Sequence, residues 1–486
     1  MSLLNKIPFF LPLLILFFCL HGYIDNYELL DFKDTLKPGF YILIGTVFTF
    51  GLSYYFCKNI VKASLISLFI VGWFIFFGVT IDLYTTLNIP SFFKRYVFIA
   101  PSFFFLNILI AFLIKKTKKD LKPIFLYANL LFIIFCAIDV FNISTKLLSK
   151  EKPAKEIAIN YNAVLQKPDV YLILLDEYPG EKSLRDSFNY DNTDFCNFLR
   201  SQDLNQIPIT ANYNYTRFCM SSMLNLDYVK NDYNPLKPIA IDFFKRVVEI
   251  KNASVFKIFD TLGYTIHNNS MFDIQDQKTD LEPNSLLIEN KMFSNRFISN
   301  ISPFFYEKKL SFLPSIYHKD FYATRDHNSD AKRKLLADFK TNYSSPIFSY
   351  THILSPHSPY YYDSLGNMNS FAQITSEDLT IFKDLFISQL KYANNLTKEI
   401  ILKAKQDKPN SIIILMSDHG FRSYYNSSFP IKANFDNICW VYFPNKNYGT
   451  VNQNFTSVNL FRYLFNNQFN QQLPYLKDTT IRIKFR

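Results

Sequence analysis

"DVYLILLDEYPGEKS", residues 169–183, places an unbroken apolar run, Val170 to Leu175, in front of two adjacent carboxylates, Asp176 and Glu177. A strand with one wet face alternates polar and apolar residues, whereas a strand covered on both faces reads as a continuous apolar run. The run therefore predicts a central strand of a largely parallel sheet. Asp176 and Glu177 then fall at its C-terminal edge, where ligands bind in open α/β sheets.

Three later stretches also end an apolar run abruptly in polar residues: "PIFSYTHILSPHSPYYYD" (346–363), "SIIILMSDHG" (411–420) and "ICWVYFPN" (438–445). An amphipathic segment from Leu379 to Lys405 predicts a long helix leading into the second of these, and "SVNLFRYLFN" (457–466) predicts a closing helix. Strand-like and helix-like stretches alternating in this way predict an α/β domain with a mostly parallel central sheet over residues 169–486.

Upstream, five segments (6–24, 39–57, 63–82, 96–114 and 123–142) are apolar, each about the ~20 residues a bilayer-spanning helix needs. A secretory signal peptide explains the first of them but not the other four. Residues 1–142 are thus expected to be a five-helix membrane domain, and the charged stretch 143–168 a connector lying helically along the membrane surface. Short loops rich in Lys and Arg stay cytoplasmic. "KKTKKDLK" (115–122) and the turn holding Lys58 and Lys62 mark the inside, the acidic "DNYELLDFKD" (25–34) marks the outside, and Lys94 and Arg95 run against the pattern. The expectation is a multi-pass protein of the cell (inner) membrane with its N-terminus inside and everything after about residue 143 on the periplasmic or extracellular side.

The net charge of +11 does not point to nucleic acid. Residues 1–150 carry 14 Lys and Arg against 7 Asp and Glu, and the remainder 38 against 34. The excess is concentrated in the membrane part, where topology accounts for it. Of six cysteines, Cys196, Cys219 and Cys439 fall in the exported part, an odd number that allows one bridge at most and says little about redox compartment.

Chemistry gathers at the predicted strand ends. Asp418 and His419 leave "SIIILM" directly, and a carboxylate beside an imidazole suits a divalent metal. Asp-His-Gly serves equally as a turn, with Gly420 supplying a positive φ. In "NYNYTRFCMSSMLN" (212–225), Thr216 stands at a helix start, where the backbone field favours an alkoxide or a phosphate. Its ordinary alternative is an N-cap. "THILSPHSPYY" places His352 and His357 five residues apart, and in an extended chain held by Pro356 and Pro359 their rings point to opposite sides. A neutral His there suits work on a leaving group. His267, His318 and His327 read as ordinary surface or structural residues.

A strand-end Asp, a helix-start Thr, an HxxxxH stretch and a strand-end SDHG in this order resemble the alkaline phosphatase superfamily. More narrowly, the chain resembles the sulfatase-fold membrane enzymes, among them lipoteichoic acid synthase and the lipid A phosphoethanolamine transferases, which carry five membrane helices ahead of an exported catalytic domain. The resemblance implies one divalent metal, Mn or Zn, held by Asp176, Thr216, Asp418 and His419, with Thr216 as nucleophile and His357 acting on the leaving group. Glu177, His352, Arg217 and Arg422 are the candidate substrate-side residues. The implied activity is transfer of a phospho-linked head group from a membrane phospholipid donor to an exported glycan or lipid acceptor through a phospho-threonine. A membrane-anchored phosphodiesterase, phosphatase or other sulfatase-family hydrolase, and a catalytically inactive binding protein on the same fold, are the alternatives. Departures are visible too. "YTRFCMSS" lacks the C/S-x-P-x-R setting of true sulfatases, no second-metal Asp-x-x-x-His is apparent, and "FRSYYNSSFP" lacks the Glu and later His of phosphoethanolamine transferases.

Overall fold

The computed structural model describes residues 3–25, 32–87, 96–148, 157–279, 314–374, 381–422 and 429–484, with the single positions 90, 281 and 378. The chain divides into two compact units, the first comprising Met1–Pro153 and Pro283–His318 and the second Ala154–Glu282 and Lys319–Arg486.

The first unit contains helices α1 (Phe10–Asp25), α2 (Phe32–Cys57), α3 (Ile60–Thr86), α4 (Tyr96–Lys116) and α5 (Lys122–Leu148). Four carry a stretch long and apolar enough to cross a membrane: Thr35–Cys57, Ile60–Ile81, Phe98–Lys116 and Lys122–Leu148. Helix α1, with 16 residues, is shorter than the others. Leu14, Phe18, Ile42, Val71 and Ile75 pack between the helices, while Phe48, Phe105 and Phe141 point outward. Apolar side chains on both the packed and the outer faces are what a helix bundle in lipid requires. Asn129 is buried inside this bundle, where its Oδ1 accepts the amide of Phe10 at 2.8 Å. It thereby satisfies one of the donors that a helix start leaves open.

Helix α5 runs to Leu148, six residues into the stretch read as a connector, and 149–156 lie outside the described residues, as do Lys94 and Arg95. Between 157 and 168 the chain forms a single short helical turn, Tyr161–Ala163, and Ile157, Ile159 and Val164 pack on the core of the second unit.

That second unit is built on strands β1 (Val170–Leu175), β2 (Asn205–Gln206), β3 (Thr265–Asn269), β4 (Ile347–Ile353), β5 (Ile412–Ser417) and β6 (Cys439–Tyr442). They form a six-stranded sheet in the order β2-β6-β5-β1-β4-β3. Strand β1 is central and parallel to both β4 and β5, and β3 extends the parallel part. The sheet is mixed, because β6 runs antiparallel to β5 and β2 antiparallel to β6. "ICWVYFPN" is therefore a strand, as expected, but its polar end leaves the opposite edge of the sheet. A parallel return needs a long crossover, usually a helix, and the described part of the connection from Asp418 to Ile438 contains only the short turn Ile431–Asn434.

All six residues of β1 are fully buried because both faces of the sheet are covered. Leu172 and Leu174 pack with Met220, Phe256, Phe259 and Phe461, whereas Tyr171, Ile173 and Leu175 pack with Leu335, Phe386 and Ile400. These partners come from helices α8 (Thr216–Asn225), α10 (Ser254–Thr261) and α13 (Leu460–Gln468) on one face and α11 (Pro314–Lys340) and α12 (Phe382–Asp407) on the other, with α6 (Glu181–Phe188), α7 (Thr193–Ser201) and α9 (Ala240–Lys251) completing the unit. Helix α12 matches the predicted 379–405 closely, while α11 has no counterpart in the sequence reading. All six cysteines are free, including buried Cys196, Cys219 and Cys439.

Candidate active site

Register does the first work. Leu175 pairs with Ser417 on one side of β1 and with Ile353 on the other. The residues that leave the strands next, Asp176 and Asp418, therefore emerge side by side at one edge of the sheet. Asp176, Asp418 and His419 each offer one ligand atom, all within 4.8 Å of one another, and all three residues are buried.

Helix α8 brings Thr216 to the same point. Tyr215 occupies the N-cap position, so Thr216 is the first helical residue and is not the cap. Its hydroxyl lies 3.5 Å from Asp176 Oδ1 and 3.3 Å from His419 Nε2. His419 Nδ1 is 2.7 Å from the carbonyl of Gly420, which makes Nδ1 the protonated nitrogen and leaves the Nε2 lone pair facing the cluster. Gly420 is required for space. A Cβ there would lie 2.0 Å from the carbonyl oxygen of Ala433 and 2.5 Å from that of Asp436. It is not among the positive-φ residues, so the expected turn role is replaced by close backbone approach.

Glu177 does adopt the left-handed conformation, at φ 59°. Its amide donates to Asp418 Oδ1 at 3.1 Å, and its Oε1 accepts the Arg422 amide at 2.6 Å. A non-glycine residue in that region costs energy and persists where surrounding contacts hold it, commonly at functional sites. The twist turns Asp176 and Glu177 to different tasks. Asp176 faces the cluster, and Glu177 faces His357, whose Nε2 is 3.5 Å from Oε2.

Both histidines of the HxxxxH stretch reach this edge. Strand β4 ends at Ile353 and the chain bends over 356–359, so the extended geometry expected of the two prolines does not hold. His352 is fully buried with Nε2 3.7 Å from Asp176 Oδ2, and His357 is partly exposed beside Glu177 and 3.5 Å from Arg422 Nη2. The two rings thus approach different carboxylates that are adjacent in sequence, His352 toward Asp176 and His357 toward Glu177.

The electrostatics follow from burying these groups together. Burial opposes ionisation of Asp176, but the nearby His357 and His352 outweigh it and hold this carboxyl well below the usual range. Burial, and then the Asp176 charge, push Asp418 upward. Two buried carboxylates this close cannot both ionise comfortably without a cation. Burial and Arg422 push His419 down to about 3, which keeps it neutral. At His357 burial acts downward, yet Glu177 and Asp176 prevail and its pKa is raised. The thiol of Cys219, three residues from Thr216, is buried and raised well above its ordinary value, mainly by that burial, so it is no nucleophile.

A divalent cation fits this arrangement on structural grounds. Asp418 Oδ2 is buried without a hydrogen-bond partner while lying 3.2 Å from His419 Nε2. An orphaned buried carboxylate oxygen facing an imidazole lone pair, a second carboxylate and a hydroxyl is a donor set for such an ion.

In front of the cluster opens a cleft of ≈ 530 Å³ lined by Asp176, Thr216, His357, Arg217 and Arg422 together with the rings of Tyr215, Phe243 and Phe244. Residues 423–428, within the "FRSYYNSSFP" stretch, lie outside the described residues. Helix α11 supplies contacts that sequence reading missed. His327 Nε2 is 3.0 Å from the carbonyl of His352, and Asn328 accepts the amide of Leu354 at 2.6 Å while donating to its carbonyl at 3.3 Å. Burial pushes His327 down to about 4, so this residue is a neutral donor and not a surface histidine. Together with Thr324, which lines the cleft, these residues follow i, i+3, i+4 spacing, the one signal in the sequence that they share a helix face. His267, by contrast, pairs with Asp338 at 2.8 Å away from the cluster, and the side chain of His318 lies outside the described residues.

The family model for sulfatases matches residues 188–464, more than half of the chain. The chain belongs to the sulfatase family, within the alkaline phosphatase superfamily of phosphotransferases and hydrolases. Among solved structures, the zinc complex of the C-terminal periplasmic domain of EptC from Escherichia coli is similar at 10% identity and TM-score 0.41, covering 67% of this chain and 88% of that one. The corresponding domain of the phosphoethanolamine transferase EptC from Campylobacter jejuni is 13% identical, with TM-score 0.37 and coverage of 65% and 94%. The phosphonate monoester hydrolase of Agrobacterium radiobacter is 14% identical, with TM-score 0.38 and coverage of 62% and 73%. Likeness at this level carries no inference about metal or substrate. No curated protein matches the chain.

Proposed function

We propose that the protein transfers a phospho-linked head group from a membrane phospholipid to an exported glycan or lipid acceptor, through a covalent intermediate on Thr216. The observation that carries this reading is the Thr216 hydroxyl at the start of α8, within 3.5 Å of Asp176 and 3.3 Å of His419. Asp176, Thr216, Asp418 and His419 would hold one divalent cation, Zn or Mn in preference to Ca, because an imidazole is among the donors. When bound, such an ion lowers the pKa of a hydroxyl and neutralises a non-bridging phosphate oxygen.

The chain's own residues divide the remaining work. The positive backbone field at the start of α8 favours an ionised Thr216, which loses its proton to water and attacks phosphorus. The bond from phosphorus to the lipid alcohol breaks, and the departing oxygen takes the proton of His357, whose raised pKa keeps it charged. Glu177 orients His357, and Arg422 and Arg217 face the phosphate oxygens. In the second half, neutral His357 takes the proton of the acceptor hydroxyl as that oxygen attacks phosphorus, and Thr216 is released.

In the same reading, residues 1–142 form five membrane spans including α1, the chain from about 143 onward lies on the periplasmic or extracellular side of the cell membrane, and 169–486 is the catalytic domain. An anchor of this kind raises the local concentration of a lipid donor. Incubating the detergent-solubilised protein with labelled phospholipid and a candidate acceptor tests the reading. Diacylglycerol together with modified acceptor, both lost in Thr216→Ala, is the expected result. Free head group without modified acceptor would make the protein a hydrolase, and full turnover by Thr216→Ala would remove the nucleophile.

A further inference from the structure

The walls of the cleft speak to the chemistry of the group attached to the transferred phosphate. Aromatic faces are the usual receptors for an ammonium ion. Here two of them are already taken by the protein's own cations. The Arg422 guanidinium carbon lies 4.4 Å from the centre of the Tyr215 ring, and that of Arg217 lies 5.1 Å from the centre of Phe244. Both arginines and both rings line the same cleft beside Thr216. Among the described lining residues Asp176 is the sole carboxylate, and it faces Thr216 and His352. Glu177, behind it, is committed to the Arg422 amide, to the Arg422 guanidinium at 3.7 Å and to His357.

We infer that the cleft selects a head group that is neutral or anionic, such as a polyol or a sugar, and rejects one that carries an amine. The inference rests on the phosphoryl-transfer reading above and deepens it. A cationic head group entering here meets Arg217 and Arg422, with no carboxylate among the described lining residues left to balance it, and like charges brought together out of bulk water discriminate strongly. Hydroxyl groups are better served. Thr324 and Ser358 offer polar atoms, and Phe243, Met271 and Leu354 offer apolar surface for the carbon skeleton of a polyol or sugar ring.

The test uses the full-length protein in detergent, supplied with Zn or Mn, and three p-nitrophenyl phosphodiesters that differ only in the second alcohol: glycerol, ethanolamine or choline. Nitrophenolate release is expected to give a kcat/KM for the glycerol ester at least roughly tenfold above either amine ester. Arg217→Gln is expected to shrink that ratio to about threefold or less by lowering turnover of the glycerol ester and relieving the amines. Competitive inhibition of the unmodified protein by head-group phosphates gives a check that needs no variant. Glycerol phosphate should compete at concentrations roughly tenfold below those of phosphocholine. Equal or preferred turnover of the ethanolamine or choline ester would overturn the inference while leaving the transfer reading intact. No release from any of the three would overturn the transfer reading, and the inference with it.

Discussion

Replacing Asp418 by Asn separates a charge from a shape. The amide keeps the acceptor that Glu177 uses at 3.1 Å, but removes one of two buried negative charges whose ligand atoms lie within 4.8 Å. Two unit charges at that separation repel by about 3.5 kcal/mol at an effective dielectric near 20, part of which Asp418 relieves by binding a proton. Without metal, Asp418→Asn is therefore expected to be more stable than the unmodified protein by about 1–3 kcal/mol. With saturating Zn or Mn the order should reverse, since the unmodified protein gains binding energy that the variant lacks. Thermal unfolding followed by intrinsic fluorescence, in chelator and in metal, measures both differences, each amounting to several degrees for a unit of this size.

The pH dependence of the metal-free protein should carry the same signature. A carboxyl whose folded pKa is raised penalises the fold above that pKa, so stability should rise as pH falls from neutrality through the raised value of Asp418. Asp176, held low, acts oppositely, and its contribution is lost only below the ordinary carboxylate range. Refutation would take the form of a metal-free Asp418→Asn protein that is less stable than the unmodified one, together with a melting temperature indifferent to chelation.

His357→Gln is expected to slow turnover of lipid donors by roughly 10²–10³-fold while sparing p-nitrophenyl esters, whose leaving group needs no proton. The unmodified protein should lose activity on poor leaving groups as pH rises through the raised His357 pKa, and a pH–rate profile lacking that limb would count against the assignment. Asn328→Ala removes both bonds to Leu354, costing about 1–2 kcal/mol of stability. It should also reproduce part of the leaving-group sensitivity of His357→Gln, and a uniform loss across leaving groups would reduce Asn328 to a structural role. Gly420→Ala drives a methyl group into the carbonyls of Ala433 and Asp436. It should abolish metal uptake, as measured by elemental analysis of the purified protein, and normal metal content would contradict the packing described here.

The parts of the fold legible in the sequence were those written in continuous apolar runs. Val170–Leu175, Ile347–Ile353 and Ile412–Ser417 are buried on both faces of the sheet, so their composition announces both the strands and the polar residues that leave them. Asp176, Asp418 and His419 were readable for that reason, and Thr216 because a helix-compatible run follows it. The direction of β6 was not readable, since an apolar strand looks the same whichever way it runs. The left-handed turn at Glu177 and the crowding around Gly420 depend on segments far away in sequence. Helix α11 escaped notice because its 27 residues are strongly polar and charged, and because His327 and Asn328 bind backbone groups of 352–354, which leave no side-chain signature.

The covalent role of Thr216 is tested by quenching the full-length protein during turnover of a phospholipid labelled in its head group, digesting it, and locating the label by mass spectrometry. A head-group phosphodiester on Thr216 is expected to appear and decay at rates compatible with product formation, and to be absent from Thr216→Ala. Label on another residue, or steady product formation by Thr216→Ala, would contradict it.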